Sequence, residues 1–144
     1  MSIAGYWTTS LTENNMSENP DIGKIGWLDL TVDDAGKVRD FYQAVVGWEV
    51  SAVNMGEYED YCMAPPAEPD QPVAGVCHRR GPNENIPSRW LMYITVADLA
   101  QSIVNTEKMG GHLVCPERDM GAHGKMCVIQ DPAGAVCALI EPAK

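Results

Sequence analysis

Basic residues are scarce in this chain of 144 residues. Lys and Arg number 10 against 20 Asp and Glu, a formal net charge of −10. A surface of that sign repels phosphate backbones and anionic headgroups. No nucleic-acid partner and no membrane partner are therefore expected, and cationic ligands are favoured over anionic ones. A long apolar run is missing too, which excludes a transmembrane helix. Met1 to Gly23 lacks the basic flank and apolar run of a secretory signal, so none is expected. Histidine occurs three times (His78, His112, His123), without H-x-x-x-H or similar spacing. The five cysteines (Cys62, Cys77, Cys115, Cys127, Cys137) form an odd set with no C-x-x-C. Each lies in or beside an apolar stretch. That argues against a cysteine zinc site and for reduced thiols packed as small hydrophobes in a cytoplasmic protein.

What is present is a repeat. Leu30-Thr31-Val32-Asp33-Asp34 precedes a helix-like stretch that ends at Gly47, and Ile94-Thr95-Val96-Ala97-Asp98 precedes another that ends at Gly110-Gly111. The two sets share one constant offset. Hydrophobic residues make up 45% and charged residues 21%, enough apolar material for one domain with a real core. Two copies of a small βα-led module within one domain place the functional cleft where the copies meet.

The organisation follows. Residues 1–23 form a polar N-terminal arm, expected to rest on the body or on a second subunit. Residues 24–144 form the domain, with module one at 24–80, a Gly/Pro/Asn linker at 81–88, and module two at 89–142. In module one, Ile25 to Val32 reads as a strand and Asp33 or Asp34 as a helix N-cap. Ala35, Val38, Phe41, Tyr42 and Val45 make an apolar helical face that stops at Gly47. Strands at Trp48 to Val53, Tyr58 to Met63 and Val73 to Arg79 follow, the prolines between the last two marking a loop. In module two, Trp90 to Val96 is a strand. Asp98 with Gln101 resembles a capping box, and Leu99, Ile103, Thr106 and Met109 form the helical stripe. His112 to Cys115 is a short strand that Pro116 ends. Lys125 to Gln130 and Ala135 to Ile140 form a closing hairpin, with Asp131-Pro132-Ala133-Gly134 suited to a type I turn. The fold class is α+β, with βαβββ occurring twice.

Two βαβββ modules with these landmarks resemble the glyoxalase / bleomycin-resistance / extradiol-dioxygenase group, the vicinal oxygen chelate superfamily. Val32-x-Asp34 leading to Phe41-Tyr42 and Gly47-Trp48 carries the resemblance in the first half. Val96-x-Asp98 leading to Gly110-Gly111, with Asp131-Pro132-x-Gly134, carries it in the second. Trp27-Leu28-Asp29-Leu30, Val73-Ala74-Gly75 and Trp90-x-x-Tyr93 are similar to its antigen-like hydrolase/hydroxylase branch. The resemblance implies that each module curls into a half-barrel, that the pair forms a cup holding a ligand, and that the protein is a homodimer.

Metal-using members of that superfamily place a His or Gln five residues before the Val of Val-x-Asp, and a Glu four residues after the Gly of Asp-Pro-x-Gly. Here those positions hold Trp27, Leu91 and Ala138, none of which has a lone pair for a hard or borderline cation. No metal and no cofactor are expected, which weighs against glyoxalase-type isomerisation and extradiol oxygenation. Strand alternation turns Trp27, Asp29 and Thr31 into the cup, with Leu91, Tyr93, Thr95 and Ala138 from the second module. These are the candidate ligand contacts. Asp29 beside Trp27 is a desolvated carboxylate and a candidate proton-transfer group; equally, it serves a structural network with Tyr93 or a backbone N–H. His78 is a second candidate acid/base group, or a solvated residue beside Arg79-Arg80. Lys125 is a candidate anion contact or a surface ion-pair partner. Glu57, Glu59 and Asp60 form an acidic stretch that either rims the cup or is simply solvated.

Three readings result. The first is a binding protein that holds a small, largely apolar molecule without metal. The second is a metal-independent enzyme using Asp29. The third, a metal-dependent lyase or dioxygenase, requires ligands outside the aligned positions.

Overall fold

The computed structural model describes residues 19–144. Most of the polar arm, and the expectation that it docks on the body, lie outside the described residues. From Asn19 the chain makes a turn in which the Gly23 N–H donates to Thr95 O at 2.8 Å, and then enters the sheet.

The elements run β1 (Ile25–Val32), α1 (Ala35–Val46), β2 (Glu49–Asn54), β3 (Glu59–Ala64), β4 (Ala74–His78), β5 (Trp90–Thr95), α2 (Leu99–Lys108), β6 (His112–Asp119), β7 (Lys125–Gln130) and β8 (Val136–Glu141). All eight strands form one sheet in the order β2-β3-β4-β1-β5-β8-β7-β6. That order is symmetrical about the antiparallel β1/β5 pair. β1 pairs in parallel with β4, and β5 in parallel with β8. Two half-sheets of equal make-up are thus joined through their first strands.

The two helices begin alike. Asp34 Oδ1 accepts the Lys37 N–H at 3.0 Å, and Asp98 Oδ1 accepts the Gln101 N–H at 3.0 Å, each satisfying an orphan donor of the first turn. The box at Asp98 is only half made, because the Gln101 side chain donates forward to Asn105 Oδ1. Gly47 ends α1 with φ +84°, a left-handed conformation that glycine adopts without a Cβ penalty. α1 buries Ala35 against Tyr61, Met63 and Val76, with Val38 and Tyr42 packed alongside. Phe41 and Val45, expected on the same buried face, are 56% and 65% exposed. The apolar stripe is wider than the strip of sheet beneath it.

Pro116 does not end its strand. β6 continues to Asp119, because its register shifts between Cys115 and Arg118 and Pro116 falls within that irregularity. β6 lies at the sheet edge, where a residue without an N–H costs no ladder bond. The Asp131 turn matches its sequence pattern: Gly134 N–H donates to Asp131 O at 3.0 Å, and Asp131 Oδ1 accepts from Ala133 and Ala135. No helix among the described residues is long and apolar enough to cross a membrane.

Candidate functional site

The cross-strand registers define which side chains share one face of the sheet. Asp29 pairs with Gly75 on β4 and Leu91 on β5, and Trp27 pairs with Tyr93. Cys62 on β3 pairs with Gly75 in turn. Residues of both halves are therefore brought into one layer on one face of the sheet.

That layer is divided. One end is an open hollow of about 620 Å³. Its β1 and β5 walls carry Trp27, Asp29, Tyr93 and Thr95. Val53, Cys62 and Pro72 close it from the first half, and Met120, His123, Ile140 and Pro142 from the second. The lining is mostly apolar, with a few convergent polar groups, as small-molecule sites generally are. The other end is filled. Ile86, from the segment between the halves, joins one buried cluster with Leu91, Tyr93, Met126, Val128 and Ala138. Arginines from both halves hold that segment. Arg79 Nε donates to Ile86 O at 3.1 Å, and Arg118 donates to Pro82 O at 2.6 Å and to Asn83 Oδ1 at 3.0 Å.

Of the residues expected to contact a ligand, Trp27, Asp29, Tyr93 and Thr95 line the hollow. Leu91 and Ala138 do not, because Ile86 and its neighbours bury them at 1% and 0% exposure. Thr31 is also buried, at 3%, and lies outside the lining. His78 is not brought to the hollow either. Its Nδ1 lies 2.9 Å from Glu59 O and its backbone N–H donates to Asp60 Oδ1 at 2.8 Å, with Tyr58 edge-on and Tyr61 tilted beside the ring. A β-strand sends neighbouring residues to opposite faces, and here Cys77 is the one near Asp29. Lys125 lies outside as well, 3.8 Å from Glu141 Oε2. His123, on the loop between β6 and β7, is exposed and stands at the wall of the hollow. Only the packing of the β6–β7 turn against the end of β8 could reveal that.

Asp29 is the polar centre. Trp27 Nε1 donates to its Oδ1 at 2.7 Å, and the Tyr93 hydroxyl lies beside the same carboxyl. Burial raises its pKa above the usual carboxylate value; Trp27 and Tyr93 oppose that rise, the Asp60 carboxylate adds to it, and Arg118 lowers it slightly. The Tyr93 hydroxyl is itself pushed upward, by burial first and then by Asp29. Burial, with Asp29 and Asp60 nearby, also raises the thiols of Cys62 and Cys77, so neither is a ready nucleophile. Gly75 makes the arrangement possible. A Cβ built there would lie 2.2 Å from Asp29 Oδ1, so any larger residue displaces the carboxylate.

A family model for the Glyoxalase/Bleomycin resistance protein/Dioxygenase superfamily matches residues 24–139. The chain belongs to this superfamily. Among its relatives, "Putative glyoxylase CFP32" of Mycobacterium bovis is 25% identical over 123 residues, covering 85% of this chain and 46% of that protein. "Anthracycline biosynthesis protein DnrV" of Streptomyces peucetius is 26% identical over 132 residues, covering 81% of this chain and 46% of that protein. The chain thus spans about half the length of the curated relatives it matches. Among solved structures, methylmalonyl-CoA epimerase from Mycobacterium tuberculosis superposes with a TM-score of 0.52 at 16% identity, covering 90% of this chain and 95% of that one. A variant of homoprotocatechuate 2,3-dioxygenase from B. fuscum gives 0.55 at 18% identity, covering 90% of this chain and 35% of that one. At such identities the likeness is one of fold.

The metal of this superfamily does not fit the side chains found here. Trp27, Leu91 and Ala138 carry no donor for it, and two of the three are sealed in the filled end. Among the described residues, no group of three or more His, Cys, Asp or Glu is placed to hold an ion.

Proposed function

We propose that this superfamily member binds a small, largely apolar organic molecule in the hollow between its two halves, without a metal ion. One observation carries the reading: a mostly apolar cavity of about 620 Å³ holds the Asp29 carboxylate, oriented by the Trp27 indole N–H with the Tyr93 hydroxyl beside it. That volume suits a ligand of drug or metabolite size. The names of the curated relatives, one a glyoxylase and one a biosynthesis protein, are in keeping with small organic ligands. The test is native mass spectrometry of freshly purified protein. A retained organic adduct with no metal mass supports the reading. A stoichiometric metal ion that survives desalting overturns it. The same spectrum reports whether the chain forms the homodimer that we also propose.

A second reading is favoured by the raised pKa of Asp29: proton transfer on the bound molecule, with Asp29 as acid or base. Asp29→Asn separates the two. Turnover that is lost while the molecule still binds supports the enzyme, and no turnover in either form supports the binder.

A further inference from the structure

We infer that the guest of the hollow is an apolar organic cation, a protonated amine on an aromatic or aliphatic body, whose ammonium pairs with the Asp29 carboxylate. The inference rests on the small-molecule reading above and specifies its ligand class. Asp29 lines the cavity and makes no ion pair with any described Lys, Arg or His. Its partners, the Trp27 indole N–H and the Tyr93 hydroxyl, are neutral. They orient the carboxylate but give it no ion-pair partner. The cation nearest in effect is Arg118, which attracts the carboxylate only from a distance, its guanidinium being directed to Pro82 O and Asn83 Oδ1 at the filled end. Asp60, 5% exposed and 3.5 Å from His78 Nδ1, adds a second carboxylate near Asp29.

A carboxylate without an ion-pair partner among apolar walls is expensive unless it takes up a proton or something positive arrives to pair with it. The chain nevertheless keeps the space for it, since only a residue without a Cβ at position 75 leaves Oδ1 where it is. An anionic guest meets repulsion from Asp29 and Asp60. A neutral guest leaves the charge unpaired. A cation removes the penalty, and the rings of Trp27 and Tyr93 beside the carboxylate offer it further attraction. The walls, with Val53, Met120 and Ile140, then take the apolar body.

The test compares two probes of nearly equal shape, naphthalen-2-ylmethylamine and naphthalen-2-ylmethanol, titrated into the full chain by calorimetry near neutral pH. The amine is expected to bind at least about tenfold more tightly than the alcohol, the equivalent of one modest ion pair in a desolvated site. In Asp29→Asn that preference is expected to vanish while the alcohol still binds, which also shows the hollow intact. Equal affinities in the unaltered protein, or a preference for the amine that survives in Asp29→Asn, overturn the assignment. Tighter binding of the alcohol overturns the cation and leaves the small-molecule reading standing. Binding of neither probe counts against both. The comparison in the unaltered protein decides the matter even where the variant does not fold.

Discussion

Trp27 and Asp29 stand two residues apart on the first strand, and the indole N–H of one donates to the carboxylate of the other at 2.7 Å. Spacing by two puts both side chains on one face of the sheet, and the bond fixes the carboxylate at the floor of the hollow. At the strand position where the resemblance would place a metal ligand, an indole holds a carboxylate.

Removing that donor should raise the Asp29 pKa further. Trp27→Phe keeps an aromatic ring and deletes the N–H, one of the groups that oppose the burial-driven rise. An upward shift of the Asp29 side-chain carbon titration in NMR is expected. A downward shift would show that the bond does not stabilise the charged form.

Asp29 also makes stability depend on pH. Its folded pKa is raised above the ordinary carboxylate value, so the folded state holds the proton more tightly than the unfolded chain. That contribution is fully present below the unfolded pKa and is lost as pH rises through the folded one. The charged or titratable groups facing Asp29 are Asp60 and Cys62 on β3, Cys77 on β4, Tyr93 on β5 and Arg118 on β6. Asp29→Asn should therefore be more stable than the original chain near neutral pH, with the gap closing as pH falls toward 4. Thermal melts of both proteins across that range check it. A gap that widens on acidification contradicts the sign.

Gly75→Ala should cost about 1–3 kcal/mol, because the new methyl group and the Asp29 carboxylate claim one space. Urea unfolding measures the loss. Adding Asp29→Ala in the same chain should recover a large part of it, and simple additivity of the two changes would show that they do not collide.

The filled end predicts a plain core defect. Leu91→Ala, at a position 1% exposed, should destabilise by about 2–5 kcal/mol. Probe binding in the adjoining hollow should survive at temperatures where the variant is folded. A loss of well under 1 kcal/mol would mean that Ile86 and its neighbours do not pack there as described.

The two caps should behave as a pair. Asp34→Ala and Asp98→Ala each remove one side-chain acceptor from a first helical turn. Each should cost about 1 kcal/mol by chemical denaturation, and a near-zero effect at either would mark that cap as idle.

Much of this was legible in the residues themselves. The repeat of Val-x-Asp, helical stripe and glycine stop is local, because caps, helical periodicity and left-handed stops act within a few residues. Alternation along β1 and β5 likewise put Trp27, Asp29, Tyr93 and Thr95 on one face before any contact was known. What no stretch of chain could reveal was which part of that face stays open. Leu91 and Ala138 share the parity of the lining residues, yet Ile86 from the connecting segment covers them, and two arginines far apart in sequence hold it there. The entry of His123 into the wall and the exit of His78 from it depend on how separate segments meet in space. Local pattern governs the facing of a side chain; whether solvent, core or guest then meets it is a matter of non-local packing, which is written only in the assembled sheet.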